Sequence, residues 1–262
     1  MKRLAATLVM LVAAPAAAQE GPRFCPNRPS LDTSTCTTDP GRVLAEVSGI
    51  DWQRDDTDGT RQDTLLFGDA QLRTGIDSQT EVQIGWTPLA QVRTHATDGS
   101  VDTVTGVGDV RLGLRRNLHN PDGSGTSLAL EGFVTLPTGR HDIGAGDWSA
   151  GALLPVSVAL GDWSLQFTGE LDAEPDEMRD GHHAAGSATF GVGRKLGDKL
   201  TAVVEMAAQR DDDPDAASTQ WVGAASLAWA VRDTAQLDVL FVAGLNHDAP
   251  DLRAVLGGAI LF

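Results

Sequence analysis

The chain has no tyrosine and only two cysteines, and it lacks any apolar run long enough to cross a bilayer as a helix. Such a helix needs ~20 apolar residues. Leu4 to Val12 falls short of that and no other segment approaches it, which excludes an inner-membrane helical protein. Positive charge is scarce as well: 20 Lys and Arg stand against 36 Asp and Glu, a net charge of −16. Nucleic-acid phosphates would be repelled by that balance, so nucleic acid is excluded as a partner. The excess fits a surface that must stay soluble, or loops that bind cations.

The N-terminus reads as an export signal over residues 1–18. Lys2 and Arg3 supply the positive start, Leu4 to Val12 the apolar stretch, and Ala16-Ala17-Ala18 the cleavage site before Gln19. Residues 19–42 then hold both cysteines, Cys25 and Cys36, with Pro22, Pro26, Pro29 and Pro40. So many prolines argue against a helix or a central strand and for a periplasmic linker or a small plug. In an exported chain a disulfide is the default reading of the two cysteines, contributing roughly 3 kcal/mol by closing a loop of this size. A metal site is the alternative, but His, Asp and Cys do not fall there at ligand spacing.

From Val43 onward the pattern is period two. Trp163, Leu165, Phe167 and Leu171 share a face, as do Leu237, Val239, Phe241, Ala243 and Leu245, and Leu128, Leu130, Val134 and Leu136. That alternation predicts strands. Turn signals divide residues 43–262 into about twelve, near 43–52, 64–76, 80–93, 106–118, 125–137, 148–160, 163–172, 184–196, 199–209, 219–231, 235–245 and 252–262. Short connections (Asp77-Ser78, Gly161-Asp162, Gly197-Asp198, Arg232 to Thr234) alternate with long acidic ones beginning at Arg54, His95, Ala173 and Arg210. His119 to Gly125 breaks the rule by being long on the short side. The arrangement is that of an up-and-down meander.

Three features decide which face is dry. The strands reach the roughly 9–11 residues that span a bilayer at a tilt. Ionised groups occupy mid-strand positions opposite the apolar face: Glu46, Asp69, Arg73, Glu81, Arg111, Arg115, Glu131, Glu170, Glu205, Asp238 and Arg253. A lumen tolerates such groups and lipid does not. Trp148, Trp163, Trp221 and Trp229 lie near strand ends on the apolar face, where an amphipathic ring suits the membrane interface. Tyrosine usually shares that work, and nothing in the sequence explains its absence. The expected fold is therefore an all-β, transmembrane antiparallel up-and-down barrel in a bacterial outer membrane. Its closing strand would place Leu252, Ala254, Leu256, Gly258, Ile260 and Phe262 outward, with Phe262 at the periplasmic rim. That ending resembles the C-terminal signature by which barrel-assembly machinery recognises outer-membrane proteins.

Arg111 and Arg115 share a strand face, and the hairpin around Pro121 is expected to bring Glu131 roughly opposite Arg111. The lumen charges read equally as a stiffening salt-bridge network or as a constriction that selects solutes by charge. Acids outnumber arginines there, which predicts passage of cations or neutral solutes over anions. His182, His183 and Ser187 beside Asp180, and His141 beside Asp142, are the candidates for hydrolytic chemistry. These histidines fall in polar loops, where a solvated histidine is the ordinary state, so no catalytic residue is assigned. The run Asp211-Asp212-Asp213 with Asp215 lacks the spaced ligands and glycine of a calcium loop and reads as a solvated loop. The glycine-rich stretch near Gly106 precedes no helix and reads as strand and turn.

"TGVGDVRLGLRRNL" (Thr105–Leu118), "EGFVTLPTG" (Glu131–Gly139) and "GDWSLQFTGEL" (Gly161–Leu171) resemble the family labelled a transporter of the MetA pathway of phenol degradation. The resemblance spans most of residues 43–262, in pattern more than identity. It implies an outer-membrane channel for small organic solutes, aromatic or apolar ones among them. Such a channel needs no cofactor and has outer-membrane lipids, the assembly machinery and a small solute as its partners. A closed structural barrel and a lipid-active barrel enzyme are the rival readings. Oligomeric state and solute identity have no signature in the sequence.

Overall fold

A computed structural model describes residues 21–141, 143–178 and 181–262. The export signal and the proposed cleavage point, like Asp142 and Asp180, lie outside the described residues. Among the described residues no helix is long and apolar enough to cross a membrane; the chain is built of strands. These are β1 (Val43–Thr57), β2 (Thr60–Gly75), β3 (Thr80–Trp86), β4 (Leu89–His95), β5 (Val101–Gly106), β6 (Val110–His119) and β7 (Thr126–Leu136). They continue as β8 (Ser149–Leu160), β9 (Trp163–Pro175), β10 (His182–Lys195), β11 (Leu200–Asp211), β12 (Ser218–Arg232), β13 (Ala235–Gly244) and β14 (Leu252–Leu261).

Every pairing between strands is antiparallel, and β14 pairs with β1, so the sheet closes on itself. Closure removes the edge strands, whose unpaired amides could not be satisfied in lipid. The wall has twelve staves because two of them are broken. The β3/β4 stave pairs with β2 along both of its parts, and β5 and β6 pair in turn with β4 and β3. The first break falls at Thr87-Pro88, where proline has no N–H for the ladder. The second falls opposite it, where the Gly108 amide donates to the Thr87 carbonyl at 2.8 Å. Asp109 then holds the connection to β8, accepting from the amides of Gly139 (2.7 Å) and Ala145 (2.8 Å).

Several strands run further than their apolar pattern. The acidic stretch beginning at Arg54 is strand up to a two-residue turn, Asp58-Gly59, with φ of 53° and 78°. The positive φ values are those of a tight hairpin turn, where glycine is unstrained. Likewise β5 occupies part of what the sequence marks as loop after His95. Beyond the bilayer the neighbouring strand still satisfies the backbone, while both faces are free to be polar, so hydropathy understates strand length.

Apolar side chains cover the outside: Leu171, Phe241, Leu256 and Phe262 are among those more than half exposed. The four tryptophans named above are also exposed. Trp163 and Trp229 lie toward the end with the 161–162 and 233–234 turns, and Trp148 and Trp221 at the opposite, loop end. The Arg194 guanidinium sits 4.7 Å from the Trp163 ring centroid, holding a cation over its face at the rim. In β14, Arg253, Val255, Ala259 and Leu261 face in while Leu252, Leu256, Ile260 and Phe262 face out. Val43 and Phe262 exchange both backbone hydrogen bonds, 3.4 and 2.9 Å.

Candidate functional site

The inside of the barrel holds an arc of alternating charge carried by successive strands. Glu46 on β1, Arg73 on β2, Glu81 on β3, Arg115 on β6 and Glu131 on β7 are all buried. Arg73 lies 2.9 Å from Glu46 and 2.9 Å from Glu81. Arg115 lies 3.1 Å from Glu81 and 2.7 Å from Glu131. Gln83 donates to Glu81 at 3.0 Å and to Glu131 at 3.1 Å. Each residue reaches its neighbour because cross-strand pairs on one face of a sheet stand side by side. The register places Glu131 opposite Arg115 rather than Arg111. The hairpin is centred on Gly123, as the pairing of Arg115 with Glu131 shows, rather than on Pro121, and this moves the partner of Glu131 four residues along β6. Arg111 is 3.9 Å from Glu131 and lies instead over the Phe133 ring, 3.3 Å from its centroid.

The arc grips the N-terminal segment. Cys25 and Cys36 are joined in a disulfide with Cα atoms 5.8 Å apart. Their carbonyl oxygens both accept from Arg73, at 2.8 and 3.0 Å, and the Cys36 carbonyl also accepts from Arg115 at 3.2 Å. Glu46 accepts from the amides of Asn27 (2.8 Å) and Arg28 (3.1 Å), and Glu81 from the amide of Thr38 (2.7 Å). Across the lumen Glu205 receives the amides of Leu31 and Asp32 at 3.1 and 3.0 Å and the Ser30 hydroxyl at 2.6 Å. Arg28 pairs with Asp238 at 2.8 Å. Thr168 bonds Asp32, and Asn117 donates to the Thr35 carbonyl at 2.7 Å. Backbone groups that would otherwise be orphaned in a strand-free segment thus find partners on the wall.

Two glycines make room for this docking. A Cβ at Gly75 would strike the backbone of Thr38 to Pro40, and one at Gly257 would strike the Arg28 guanidinium. The long turn on the short side also has its use: the Pro121 carbonyl accepts from Arg23 (2.9 Å) and from the Thr37 amide (3.1 Å). Phe24 packs against Leu44, Ala259 and Leu261, and Leu31 against Ala224, Leu240, Val242 and Val255.

The remaining predicted charges stand outside the arc. Asp69 accepts from the Thr87 hydroxyl at 2.6 Å, Glu170 from the Ser187 hydroxyl at 3.1 Å, and Arg253 pairs with Asp51 at 2.6 Å. Asp51 and Arg28 are functional neighbours that strict alternation misses. The β1 ladder shifts between Ser48 and Ile50, so parity flips after Ser48 and an odd-numbered acid turns inward. Arg28 lies in a segment with no periodicity at all. The Ser187 hydroxyl donates to Glu170, while His182 stacks on Trp148 with centroids 4.3 Å apart and donates from Nε2 to the Trp148 carbonyl, 2.9 Å away. His183 lies among carboxylates. No Ser–His pair forms among the described residues. In the acidic run, Asp212 pairs with Arg210 at 2.7 Å, whereas Asp211 and Asp213 approach His183.

Comparison with known proteins agrees with this architecture. The COG4313 outer membrane channel from Pseudomonas putida F1 superposes with a TM-score of 0.71 at 14% identity, covering 87% of this chain and 98% of that one. The β domain of the Bordetella autotransporter BrkA superposes with a TM-score of 0.51 at 13% identity, covering 86% and 100%. Both likenesses are likenesses of fold. A search of curated proteins returns no match. A closed twelve-stave barrel with an apolar outside and a charged inside, similar to these, is a bacterial outer-membrane protein. The family model described as "Putative MetA-pathway of phenol degradation" matches residues 26–262, and the chain belongs to that family.

Proposed function

We propose that the protein is an outer-membrane channel for small, mostly neutral organic solutes whose bore is plugged by residues 21–42. The observation that carries this reading is the division of the lumen. Charged residues on β1–β3, β6 and β7 are engaged by one another and by the segment, whereas β12–β14 present a strip of Val222, Ala224, Leu240, Val242 and Val255. Toward the loop end this strip opens into a pocket of about 250 Å³ that includes Leu31 of the segment, Val222 and Val242, with Gln53, Gln209 and Gln220 beside them. Ser187, Thr189 and Arg253 also line it, so apolar and polar side chains share the wall, and such a mixture suits a small organic solute with a polar group, such as a phenol. The family's link to phenol degradation supports the same class.

Planar-bilayer recording on the refolded chain, with and without residues 21–42, tests the proposal. The intact protein is expected to give small steps in KCl, the shortened one larger steps, and millimolar phenol should reduce both reversibly. Val242→Asp is expected to keep conductance and lose the phenol block. Silence from both proteins would favour the closed structural barrel, and equal conductance with and without the segment would refute the plug.

A further inference from the structure

At the loop end, the turn after β9 and the loop after β11 stand side by side, because both strands pair with β10. Three carboxylates converge there on one imidazole. Asp176 Oδ1 lies 3.0 Å and Asp213 Oδ2 3.6 Å from His183 Nδ1, while Asp211 Oδ1 lies 2.7 Å from Nε2. The ring is only 7% exposed. A neutral imidazole has a single N–H. If Nε2 holds it toward Asp211, the Nδ1 lone pair faces two carboxylates; if Nδ1 holds it, Nε2 faces Asp211 bare. In the structure the buried Nε2 makes no aligned hydrogen bond despite its short approach to Asp211. A neutral ring thus leaves one nitrogen lone pair facing a carboxylate, a clash that either a second proton on the ring or a bound cation removes.

The pocket into which these groups open is lined by Asp172, Glu174, Asp176, Glu177, Asp211 and Asp213, and no lysine or arginine is among its described lining residues. Such a concentration of one sign draws cations in. The amides of Asp215 and Glu177 each donate to Asp213 at 2.7 Å and hold its carboxylate in place beside the ring. Donor atoms of Asp176, His183 and Asp213 all fall within 4.8 Å of one another. Nitrogen and oxygen donors about one tetrahedral zinc ion stand ~3.3–3.6 Å apart, so side-chain rotations of about an ångström close the set.

We propose that Asp176, His183 Nδ1 and Asp213 form a divalent transition-metal site of the zinc class at the barrel mouth. Asp211 would accept a hydrogen bond from Nε2–H and so fix the ring, as a carboxylate commonly does behind a metal-bound histidine. The imidazole selects against Ca²⁺ and Mg²⁺, which prefer oxygen ligands throughout. Bound metal would staple the β9–β10 turn to the β11–β12 loop beside the pore mouth.

The test is calorimetric titration of the full chain, chelator-treated and in detergent near neutral pH, with ZnCl₂, CaCl₂ and MgCl₂. One Zn²⁺ per chain is expected, bound about a hundredfold tighter than either alkaline-earth ion. Asp176→Asn and Asp213→Asn, both in connections outside the strands, should each weaken Zn²⁺ by about tenfold or more, whereas Asp212→Asn should not. Cobalt bound to the wild type should show visible bands that His183→Gln abolishes. If His183→Gln fails to assemble, the two asparagine variants decide. Absence of Zn²⁺ binding, equal affinity for Zn²⁺ and Ca²⁺, or unchanged binding in both asparagine variants would overturn the site and leave His183 as a doubly protonated ring.

Discussion

Arg73 shows what a single residue can do in a lumen. Its guanidinium touches two carboxylates and two carbonyl oxygens of the disulfide loop, and it is 1% exposed. Removing such a group leaves Glu46 and Glu81 buried with part of their compensation gone, a loss that typically costs about 3–5 kcal/mol. Arg73→Met should therefore lower stability by that order in urea unfolding from lipid vesicles. It should also raise conductance, because the N-terminal segment loses its anchor. Stability loss without a conductance change would show that the segment is held by Arg28, Glu205 and Glu81 alone. At this scale the sequence was informative where parity was regular. Arg73, Glu81, Arg115 and Glu131 stand out as charges on the polar side of period-two runs. Asp51 escaped because of the shifted ladder after Ser48, and Arg28 because its position depends wholly on tertiary contacts.

Among the elements, β14 was the most legible, since each of its residues obeys the alternation to the last. Its outward row meets lipid, and its backbone closes the barrel on β1. The β3/β4 and β5/β6 breaks were harder to read. Pro88 marks the first, but whether a proline ends a strand or merely interrupts a stave depends on the neighbour, here β2, which pairs on both sides of it. For the closing strand we expect Phe262→Asp to impair assembly and leave protein in periplasmic aggregates. Placing a charge at the lipid rim costs only up to about 1 kcal/mol, so the larger part of the defect would be lost recognition by the assembly machinery. Heat-modifiable gel mobility of outer-membrane fractions measures this. If the variant assembles in cells as well as the wild type, Phe262 carries no assembly signal.

For the whole molecule, charge is distributed in two zones, and they should be separable. Within the lumen Glu46, Asp51, Glu81, Glu131 and Asp238 are paired with Arg28, Arg73, Arg111, Arg115 and Arg253, whereas Glu205, Glu170 and Asp69 are held by hydrogen bonds from hydroxyls and amides. A denser group of acids gathers at the loop-end mouth, in the pocket of Glu174, Asp176 and Glu177. A fixed charge at a wide, wet mouth acts through solvent and is screened, whereas one in a dry constriction is not. Cation preference is therefore expected in reversal potentials across a KCl gradient at low salt. It should fade as the Debye length shrinks from ~10 Å at 0.1 M to ~3 Å at 1 M. Glu174→Gln with Glu177→Gln should weaken the low-salt preference, and Arg111→Ala should alter it little, because Glu131 keeps Arg115. A preference that survives high salt would place unpaired carboxylates in the constriction itself. Preference for anions would mean that Arg111 and Arg253, the two partly exposed arginines, line the narrowest point.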